Sequence, residues 1–289
     1  AMHHRMWTQP ATRANAETLR DLGAVLIGPV SGALANGEIG EGRMAEPDEI
    51  VDAVESKLAH SDDLASARIL ITAGPTYEDL DPVRFLGNRS SGRMGYAIAS
   101  AALRRGAEVT LVSGPVALPA PTGVELVQVR SARQMHEAVM SRYDTYDVLI
   151  MAAAVADYRP SVRAGHKIKK GGDLKLELVR NPDILADVGT HRSARPKVLV
   201  GFALETENLE RSAREKLERK AADLIVANEA SAGLGRDTNR ASLVDTRGCT
   251  ELPEMPKHAL ADQILDRIRA LLSTDARPSR AEAKPGPPN

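Results

Sequence analysis

The first candidate for chemistry is a long loop that concentrates groups able to bind an anion. Residues 73–95 read AGPTYEDLDPVRFLGNRSSGRMG and separate a short apolar strand pattern from a helical pattern. The Ser-Ser-Gly at residues 90–92 falls where that helix should begin, and unpaired N–H groups with the positive end of the helix dipole favour phosphate there. A serine N-cap followed by a glycine for close packing is the alternative, and Asn88 and Arg84 could fix the loop instead of acting in catalysis.

A second candidate is the corner MAAAVADYRP, residues 151–160, which begins within a very apolar strand pattern. Open parallel sheets bind ligands at the carboxyl ends of their strands, and small alanines let a ligand approach the backbone. The carboxylate of Asp157 could hold a hydroxyl group or a phosphate-bound Mg²⁺. A turn or helix-capping aspartate is the alternative interpretation.

Two lysine pairs suit a polyphosphate. In HKIKK, residues 166–170, strand alternation predicts Lys167 and Lys169 on one face, with a lysine-protected edge strand as the alternative. Lys216 and Lys220 lie four residues apart on a predicted charged helix, a like-charge spacing that costs about 0.2–0.5 kcal/mol unless an anion lies between them. A solvated helix face explains so small a cost, so this pair gains weight only in combination with the other sites.

The histidines near the start and the single cysteine carry no predicted chemistry. His3 and His4 have no Glu or His at metal-ligand spacing on the same element, and adjacent strand side chains point in opposite directions, so no metal site is expected there. Cys249, in TRGCTEL, has no histidine beside it and is not expected to act as a nucleophile.

The elements that must position these residues follow a repeating α/β pattern. Strand, helix and strand patterns at residues 69–73, 95–106 and 107–113 predict a βαβ unit, and similar units continue to a final helix at residues 256–272. We predict an α/β fold with a doubly wound, mostly parallel, Rossmann-like sheet. A small β-hairpin extension is expected where HKIKK and LKLELV flank Gly171-Gly172.

Composition along the chain predicts an unequal division. Residues 1–60 are typical of the end of an α/β unit, with a strand at residues 24–27 and an irregular glycine-rich stretch before a helix that begins at Pro47. Residues 61–67 form a predicted polar linker, and residues 68–272 hold the repeated pattern. The proline-rich residues 273–289 are expected to be disordered.

Overall composition argues against several classes of protein. Thirty-eight Lys and Arg against 39 Asp and Glu give a net charge of −1 over 289 residues, which argues against binding nucleic acid or an anionic membrane through bulk charge. No apolar run approaches the roughly 20 residues of a membrane span. One cysteine and no signal segment favour a cytoplasmic protein.

Taken together, these stretches resemble bacterial phosphopantothenate–cysteine ligase, also called phosphopantothenoylcysteine synthetase. The resemblance runs in unbroken order from about residue 68 to residue 272. It includes the loop 73–95, the corner 151–160 with KIKK beginning ten residues after Asp157, the motifs VRNPDIL and VGFALET, and the lysine pair of the charged helix. Several long motifs in one register make the resemblance specific.

Residues 1–59 resemble the C-terminal end of the flavin-dependent phosphopantothenoylcysteine decarboxylase that precedes the ligase in bacterial coenzyme A synthesis enzymes. AMHHRMW is similar to its Pro-x-Met-Asn-x-x-Met-Trp motif with His3 at the Asn. GALANGEIGEGRM is similar to its Gly-x-Leu-Ala-Cys-Gly motif with Asn36 at the acid cysteine. Because both changes fall on active-site positions and the flavin-binding beginning is absent, we expect this remnant neither to hold FMN tightly nor to decarboxylate.

The resemblance implies a two-step reaction. The carboxylate of 4′-phosphopantothenate attacks the α-phosphate of CTP to give an acyl-cytidylate and pyrophosphate, and the amine of L-cysteine then displaces CMP. Mg²⁺ is the implied cofactor, with Asp157 as its candidate ligand beside the triphosphate. The family also forms dimers through the ligase domain, so a homodimer is expected.

Three residues receive implied catalytic roles. Asn88 matches the residue that stabilises the acyl-cytidylate, Arg84 matches the one associated with its turnover, and Lys167 is expected to act on the triphosphate. The implied and inferred nucleotide-binding set is Gly74, Ser90, Ser91, Gly92, Ala153, Ala154, Asp157, Lys167, Pro182, Asp183, Ile184, Leu185, Phe202, Lys216 and Lys220.

A nicotinamide-dependent oxidoreductase on a Rossmann-like sheet is the alternative function. The glycines of residues 87–95 do not follow Gly-x-Gly-x-x-Gly, and Ser113 ends the second strand where an NAD site usually has Asp or Glu, so the residues count against it. A non-catalytic binding subunit is a third possibility, against which Asn88, Asp157 and Lys167 count. The residues alone leave CTP and ATP both open as the nucleotide.

Overall fold

The chain folds as two units, Ala1–His60 and Ser61–Asn289. The computed structural model describes residues 1–34, 37–58, 62–169, 171, 174–191, 195–205, 209–229 and 238–274. Asn36, Lys170, Gly172 and the expected disordered tail from residue 275 onward lie outside the described residues, so the expectations for them stay predictions.

The described part of the first unit consists of short helices and one antiparallel hairpin. Its elements are α1 (His4–Trp7), α2 (Pro10–Asp21), β1 (Val30–Ala33), β2 (Ile39–Arg43) and α3 (Pro47–Leu58).

The expected strand at residues 24–27 is wrong, and the glycine-rich stretch expected to be irregular forms the hairpin β1–β2 instead. The glycines of β2 allow the backbone at the start of the chain to lie close to this strand, and a hydrophobicity pattern does not report such a contact. A Cβ atom on Gly42 would lie 2.0 Å from the carbonyl oxygen of Met2, and the Met2 N–H donates to the Gly42 oxygen at 2.8 Å.

The second unit is built around a sheet of eight strands. Its elements in chain order are β3 (Arg68–Ala73), β4 (Tyr77–Asp79), β5 (Phe85–Gly87), α4 (Arg93–Arg104), β6 (Glu108–Ser113), β7 (Glu125–Gln128), α5 (Ala132–Met140), β8 (Val148–Met151), β9 (Tyr158–Pro160), β10 (Leu178–Arg180), α6 (Ile184–Thr190), β11 (Val198–Glu205), α7 (Leu209–Arg219), β12 (Leu224–Glu229), β13 (Thr238–Asn239), β14 (Ala241–Asp245), β15 (Gly248–Glu251), β16 (Met255–Pro256) and α8 (Lys257–Thr274).

The strand order is β15-β14-β12-β11-β8-β3-β6-β7. All pairs from β12 to β7 are parallel, and β14 and β15 add an antiparallel edge. The predicted doubly wound, mostly parallel α/β sheet is therefore confirmed. Within the described residues, no helix is both long enough and apolar enough to cross a bilayer.

Alternating strand side chains supply a core on each face of this sheet. On β3, Ile69 and Ile71 join the cluster under α4 and α8, whereas Leu70 joins the cluster under α5, α6 and α7. Helix α4 can approach β3 closely because it carries Gly95, whose added Cβ would lie 2.6 Å from the Cβ of Ala73. This packing fixes the start of α4 beside the carboxyl end of β3.

The predicted hairpin of HKIKK and LKLELV is wrong. The two-stranded extension pairs β9 with β10 instead, Tyr158 opposite Arg180, and residues 161–169 and 174–177 lie outside any strand. The backbone of Ile168 has other partners: its N–H donates to Asp81 Oδ2 at 3.0 Å, and its carbonyl oxygen accepts from Arg84 Nη2 at 2.7 Å. Lys167 and Lys169 therefore do not share a strand face.

Candidate functional site

Two neighbouring clefts lie where β3, β8 and β11 end. The first cleft has a volume of about 470 Å³ and the second about 290 Å³, and both are bordered by Ala153, Val155 and Phe202. The loops after β3 and β8 are joined here, because the Ala154 N–H donates to the Gly74 oxygen at 2.9 Å. Ligands in the two clefts would therefore meet at the corner after β8.

The first cleft brings together most of the residues expected to bind the nucleotide. It also contains Arg180, Asn181 and Arg219, which the sequence analysis did not select. The predicted residues that line it are Ala153, Asp157, Pro182, Asp183, Ile184, Leu185, Phe202, Lys216 and Lys220.

Helix α7 gives this cleft its positive charge. Ala213 and Leu217 are buried against the sheet, so Lys216 and Lys220 reach the cleft from the last turn of the helix and just beyond it. Lys216 Nζ donates to the Phe202 carbonyl oxygen at 2.7 Å. Arg219 lines the cleft as well, and Glu215 pairs with Arg211.

Asp183 also lines the first cleft, and it links the start of α6 to the end of α7. Its Oδ1 caps α6 by accepting from the Ala186 N–H at 3.1 Å, and its Oδ2 accepts from Lys220 Nζ. Burial alone would raise the pKa of Asp183, but the hydrogen bonds from Lys220 and Ala186 and the charge of Lys216 hold it below its usual range. The carboxylate is therefore ionised and offsets part of the lysine charge.

Asp157 lies in the corner after β8, and its side chain is exposed in the first cleft. Asn181, which the sequence analysis missed, fastens this corner: its N–H donates to the Asp157 carbonyl oxygen and its Nδ2 donates to the Ala156 carbonyl oxygen, both at 2.8 Å. One exposed carboxylate facing a cation-lined cleft fits the preference of Mg²⁺ for one or two carboxylates together with phosphate oxygens.

The second cleft contains the predicted anion loop. Asn88, Ser90, Ser91 and Gly92 line it, together with Ala153 and Ala154. Asn88 Oδ1 accepts from the Ser90 N–H at 3.0 Å, so its Nδ2 donor remains available to a ligand.

The start of α4 differs from the capping alternative. The N-cap is Gly92, with φ 77° and no side-chain cap, so no serine hydroxyl caps the helix. Ser90 Oγ instead accepts from the Gly92 N–H at 3.4 Å, within the loop. Gly74, also predicted to bind nucleotide, lines neither cleft. It has φ 75°, and an added Cβ would lie 2.9 Å from Val116 Cγ1, so it permits close packing of the loop after β3.

The second cleft also contains Asn228, Asn239 and Lys257, which the sequence analysis did not select. Asn239 is 3% exposed, and its Nδ2 donates to Asn228 Oδ1 at 3.1 Å. Its Oδ1 is buried and accepts no hydrogen bond from any residue that the structure describes. Asn228 ends a parallel strand, so the rule that ligands bind at carboxyl ends could have found it, whereas nothing local marks the other two.

Arg84 and Lys167 line neither cleft. Arg84 belongs to the turn between β4 and β5, where Asp81 accepts from its Nε at 2.9 Å and its Nη2 at 2.6 Å. Burial would raise the pKa of Asp81, but hydrogen bonds from Ile168, Val83 and Arg84 hold it well below its usual range. Lys167 is exposed and immediately precedes Ile168.

Cys249 is partly buried in β15, on the outer antiparallel edge of the sheet. Burial raises the pKa of its thiol, as do the charges of Glu210 and Glu251. A raised pKa reduces the thiolate population, in line with the expectation that Cys249 is not a nucleophile.

The sheet order and the clefts at the carboxyl ends of the strands define a Rossmann-like α/β domain. Residues 64–272 match the profile of the DNA/pantothenate metabolism flavoprotein C-terminal domain, and residues 1–59 match that of the flavoprotein family. The chain belongs to the DNA/pantothenate metabolism flavoprotein family.

Relatives of this chain extend over both units. The chain is 46% identical over 275 residues to the coenzyme A biosynthesis bifunctional protein CoaBC of Escherichia coli (strain K12), covering 93% of this chain and 68% of that protein. It is 45% identical over 279 residues to the protein of the same name from Bacillus subtilis (strain 168), covering 94% and 68%. The solved structure of a CoaBC C-terminal domain is 46% identical, with a TM-score of 0.65, and covers 74% of this chain and 100% of that one.

Proposed function

We propose that this chain acts in coenzyme A biosynthesis as a ligase that joins 4′-phosphopantothenate to L-cysteine. CTP drives the reaction through an acyl-cytidylate and is converted to CMP and pyrophosphate. The observation that carries this proposal is the continuity of the two clefts at Ala153, Val155 and Phe202. A cation-lined cleft meets a second cleft that holds Asn88, as a reaction between a nucleotide and a carboxylate requires.

In this proposal the first cleft takes the nucleotide. Its triphosphate lies toward Lys216, Arg219 and Lys220, which neutralise the charge that develops as pyrophosphate leaves. Asp157 would hold Mg²⁺ against the phosphates, and the ion supplies Lewis-acid charge neutralisation when bound. The α-phosphate then lies at the corner after β8, where a ligand in the second cleft can reach it.

The second cleft takes 4′-phosphopantothenate. Its carboxylate attacks the α-phosphate, and pyrophosphate leaves into the first cleft. Asn88 Nδ2 donates to the acyl-cytidylate, because Asn88 Oδ1 is already engaged by Ser90. The buried Oδ1 of Asn239 suits an N–H or O–H donor of the pantothenate part. The cysteine amine then attacks the acyl carbon, and CMP leaves.

Arg84 and Lys167 enter the proposal as a connected pair. Ile168 joins their two segments through Asp81 and Arg84, so displacement of one segment moves the other. We expect Lys167 to act on the triphosphate, and Lys167→Gln should strongly suppress pyrophosphate release. Near-normal release of pyrophosphate by this variant would show that Lys167 does not act on the triphosphate.

The expected homodimer draws support from apolar side chains that are exposed on two neighbouring segments of the second unit. Val83 is 61% exposed, Phe85 44% and Val162 78%. The Ala164 N–H donates to the Leu80 oxygen at 2.9 Å and so brings the segments together. Apolar side chains exposed on neighbouring segments are typical of an interaction surface. The mass of the chain in solution, compared with that of Val83→Ser, tests this part of the proposal.

The absence of decarboxylase activity and of tight FMN binding is also part of the proposal. It is supported by His3 at the position of the Asn in the decarboxylase motif. Titration of the chain with FMN, followed by flavin fluorescence, tests it directly.

The deciding experiment measures phosphate and pyrophosphate release with 4′-phosphopantothenate, L-cysteine, Mg²⁺ and each nucleotide in turn. Release of pyrophosphate with CTP, dependent on both substrates, supports the proposal. Release of pyrophosphate with ATP but not with CTP would identify ATP as the nucleotide of the reaction. A thermal shift with NAD(P)H and none with CTP and Mg²⁺ would favour the oxidoreductase alternative.

A further inference from the structure

The first unit contains a convergence of three side chains that the ligase reaction does not use. His3, His4 and Glu38 each place one potential ligand atom within 4.8 Å of the other two. His3 Nε2 lies 3.1 Å from Glu38 Oε2, and His4 Nδ1 lies 3.4 Å from the same oxygen. We propose that His3, His4 and Glu38 form a binding site for one divalent transition-metal ion of the Zn²⁺ class.

The local backbone explains why adjacent histidines face the same point. We expected the two side chains to point in opposite directions, as on a strand, and this is wrong. His3 is the N-cap of α1 and His4 is its first residue, so the chain turns between them and the ring centroids lie 4.4 Å apart. The histidines therefore meet on one side of the backbone.

The hairpin β1–β2 brings Glu38 to the histidines. The Leu34 N–H donates to the Glu38 carbonyl oxygen at 2.8 Å, which fixes Glu38 directly before β2. Gly40, two residues later, lies against the imidazole: an added Cβ would be 2.8 Å from His4 Cβ and 3.3 Å from His4 Nδ1. The site is thus held by backbone hydrogen bonds and close packing between the start of the chain and β2.

The distances from Glu38 Oε2 to the two imidazole nitrogens match those between ligands of one metal ion. With Zn–N and Zn–O bonds of about 2.0–2.1 Å, two ligand atoms of a tetrahedral site lie about 3.3–3.4 Å apart. His4 Nδ1 is buried, and its approach to Glu38 lacks hydrogen-bond geometry. A metal ion held by both side chains would satisfy this nitrogen, which has no hydrogen-bond partner among the residues that the structure describes.

The ligand types favour a borderline metal. Two imidazole nitrogens and one carboxylate oxygen suit Zn²⁺ or Co²⁺ better than Mg²⁺ or Ca²⁺, which prefer oxygen ligands. Three protein ligands leave a fourth tetrahedral position for water. His3 Nδ1 accepts from the Arg5 N–H at 3.3 Å, so metal at Nε2 requires the ring proton to move to Nδ1 and that long hydrogen bond to be given up.

The only tryptophan of the chain, Trp7, lies three residues after His4 and is 7% exposed, which gives the first unit its own optical reporter. The test uses the whole chain, freed of metal by a chelator and titrated with Co²⁺. We expect one equivalent of Co²⁺ to bind with tetrahedral absorption bands and to quench Trp7 fluorescence, and Zn²⁺ to displace it and restore the emission. Absence of saturable quenching, or quenching that Zn²⁺ does not reverse, overturns the proposal.

Variants assign the ligands. His3→Asn, His4→Gln and Glu38→Gln should each weaken Co²⁺ binding at least about tenfold. The matched control is His136→Gln in the second unit, which removes a histidine that lies 2.9 Å from Asp187 Oδ2. It should bind Co²⁺ like the parent.

Glu38→Gln keeps the side-chain shape, and the emission of Trp7 without metal reports whether each variant is folded. Folded variants that bind like the parent, or loss of binding in His136→Gln, would place the metal elsewhere and overturn the proposal. The measurement involves neither CTP nor phosphopantothenate, so its outcome is independent of the proposed ligase function.

Discussion

Arg84 donates to the carbonyl oxygen of Ile168 at 2.7 Å, although the two residues lie 84 positions apart in the sequence. The Ile168 N–H donates to Asp81 Oδ2 at 3.0 Å, and the same oxygen accepts from the guanidinium of Arg84. The turn that carries Arg84 and the segment that carries Lys167 are therefore joined through one buried carboxylate.

Asp81→Asn should loosen the contact between these two segments, which the hydrogen bond from the Ala164 N–H to the Leu80 oxygen still joins. The amide cannot replace the ionised carboxylate that accepts from Arg84 and Ile168, so we expect a lower melting temperature and slower phosphopantothenoylcysteine formation. Arg84→Gln should give a similar rate, and the double variant should be no slower than either, because both changes remove the same contact. Asp262→Asn in α8, which removes an ion pair with Arg104 and involves neither segment, is the control. A double variant whose loss of rate equals the sum of the two single losses, in free energy, would contradict a shared contact.

Asn88→Asp should separate nucleotide binding from chemistry. The new carboxylate still accepts from the Ser90 N–H, so the loop keeps its shape, but the Nδ2 donor is lost and a negative charge is added. We expect the Kd for CTP to stay within about twofold and the rate of product formation to fall about 100-fold. Isothermal titration and single-turnover kinetics measure the two quantities. An unchanged product rate would remove Asn88 from the reaction.

Lys220→Gln should weaken CTP binding by about tenfold, equal to about 1.4 kcal/mol. The substitution removes a cation from the first cleft and leaves Asp183 without its ion pair. Arg211→Gln on the same helix is the matched control. The side chain of Arg211 is 83% exposed, and its guanidinium pairs with Glu215. Titration with CTP and Mg²⁺ should show no change for the control. Equal losses in both variants would indicate a general effect of charge.

Asn239→Ala and Asn181→Ala should affect different substrates. Removal of the buried Asn239 Oδ1 from the second cleft should raise KM for 4′-phosphopantothenate about tenfold and leave KM for CTP within about twofold. Asn181 fastens the corner of the first cleft, so its loss should raise KM for CTP. Steady-state kinetics with each substrate varied in turn test the division. The reverse pattern would contradict the assignment of the clefts.

Asp147→Asn should lower stability in a pH-dependent way. Asp147 accepts from Lys197 Nζ at 2.8 Å and from the Arg68 N–H at 3.0 Å. Burial would raise its pKa, but these partners lower it in the folded chain below the value of about 3.9 expected when unfolded. The carboxylate therefore stabilises the fold above about pH 4, and this contribution is lost as the pH falls through the folded pKa.

We expect Asp147→Asn to reduce the free energy of unfolding by about 1 kcal/mol at pH 7, since Lys197 is largely exposed. The difference should shrink below about pH 4. Urea unfolding across this range measures it, and a difference that grows at low pH would contradict the sign.

The sequence by itself determined the repeated α/β pattern and the central parallel strands of the second unit, but not the sheet strands β7, β14 and β15. Apolar runs such as residues 148–151 predict buried parallel strands, because both faces of such a sheet are covered. The resemblance to the ligase family selected most residues of the first cleft, because each of its motifs is local in sequence. The spacing of four residues put Lys216 and Lys220 on one side, and both line the first cleft, Lys220 just after α7 ends.

Tertiary structure decided which distant residues meet. The backbone of Ile168 binds Asp81 and Arg84 instead of a strand partner, so the alternating pattern around Lys167 misled the prediction of a hairpin. Glu38 reaches His3 only because the glycines of β2 admit the start of the chain. Periodicity reports which side of a local segment is buried, whereas contacts between segments depend on backbone approach and hydrogen-bond partners that no local pattern encodes.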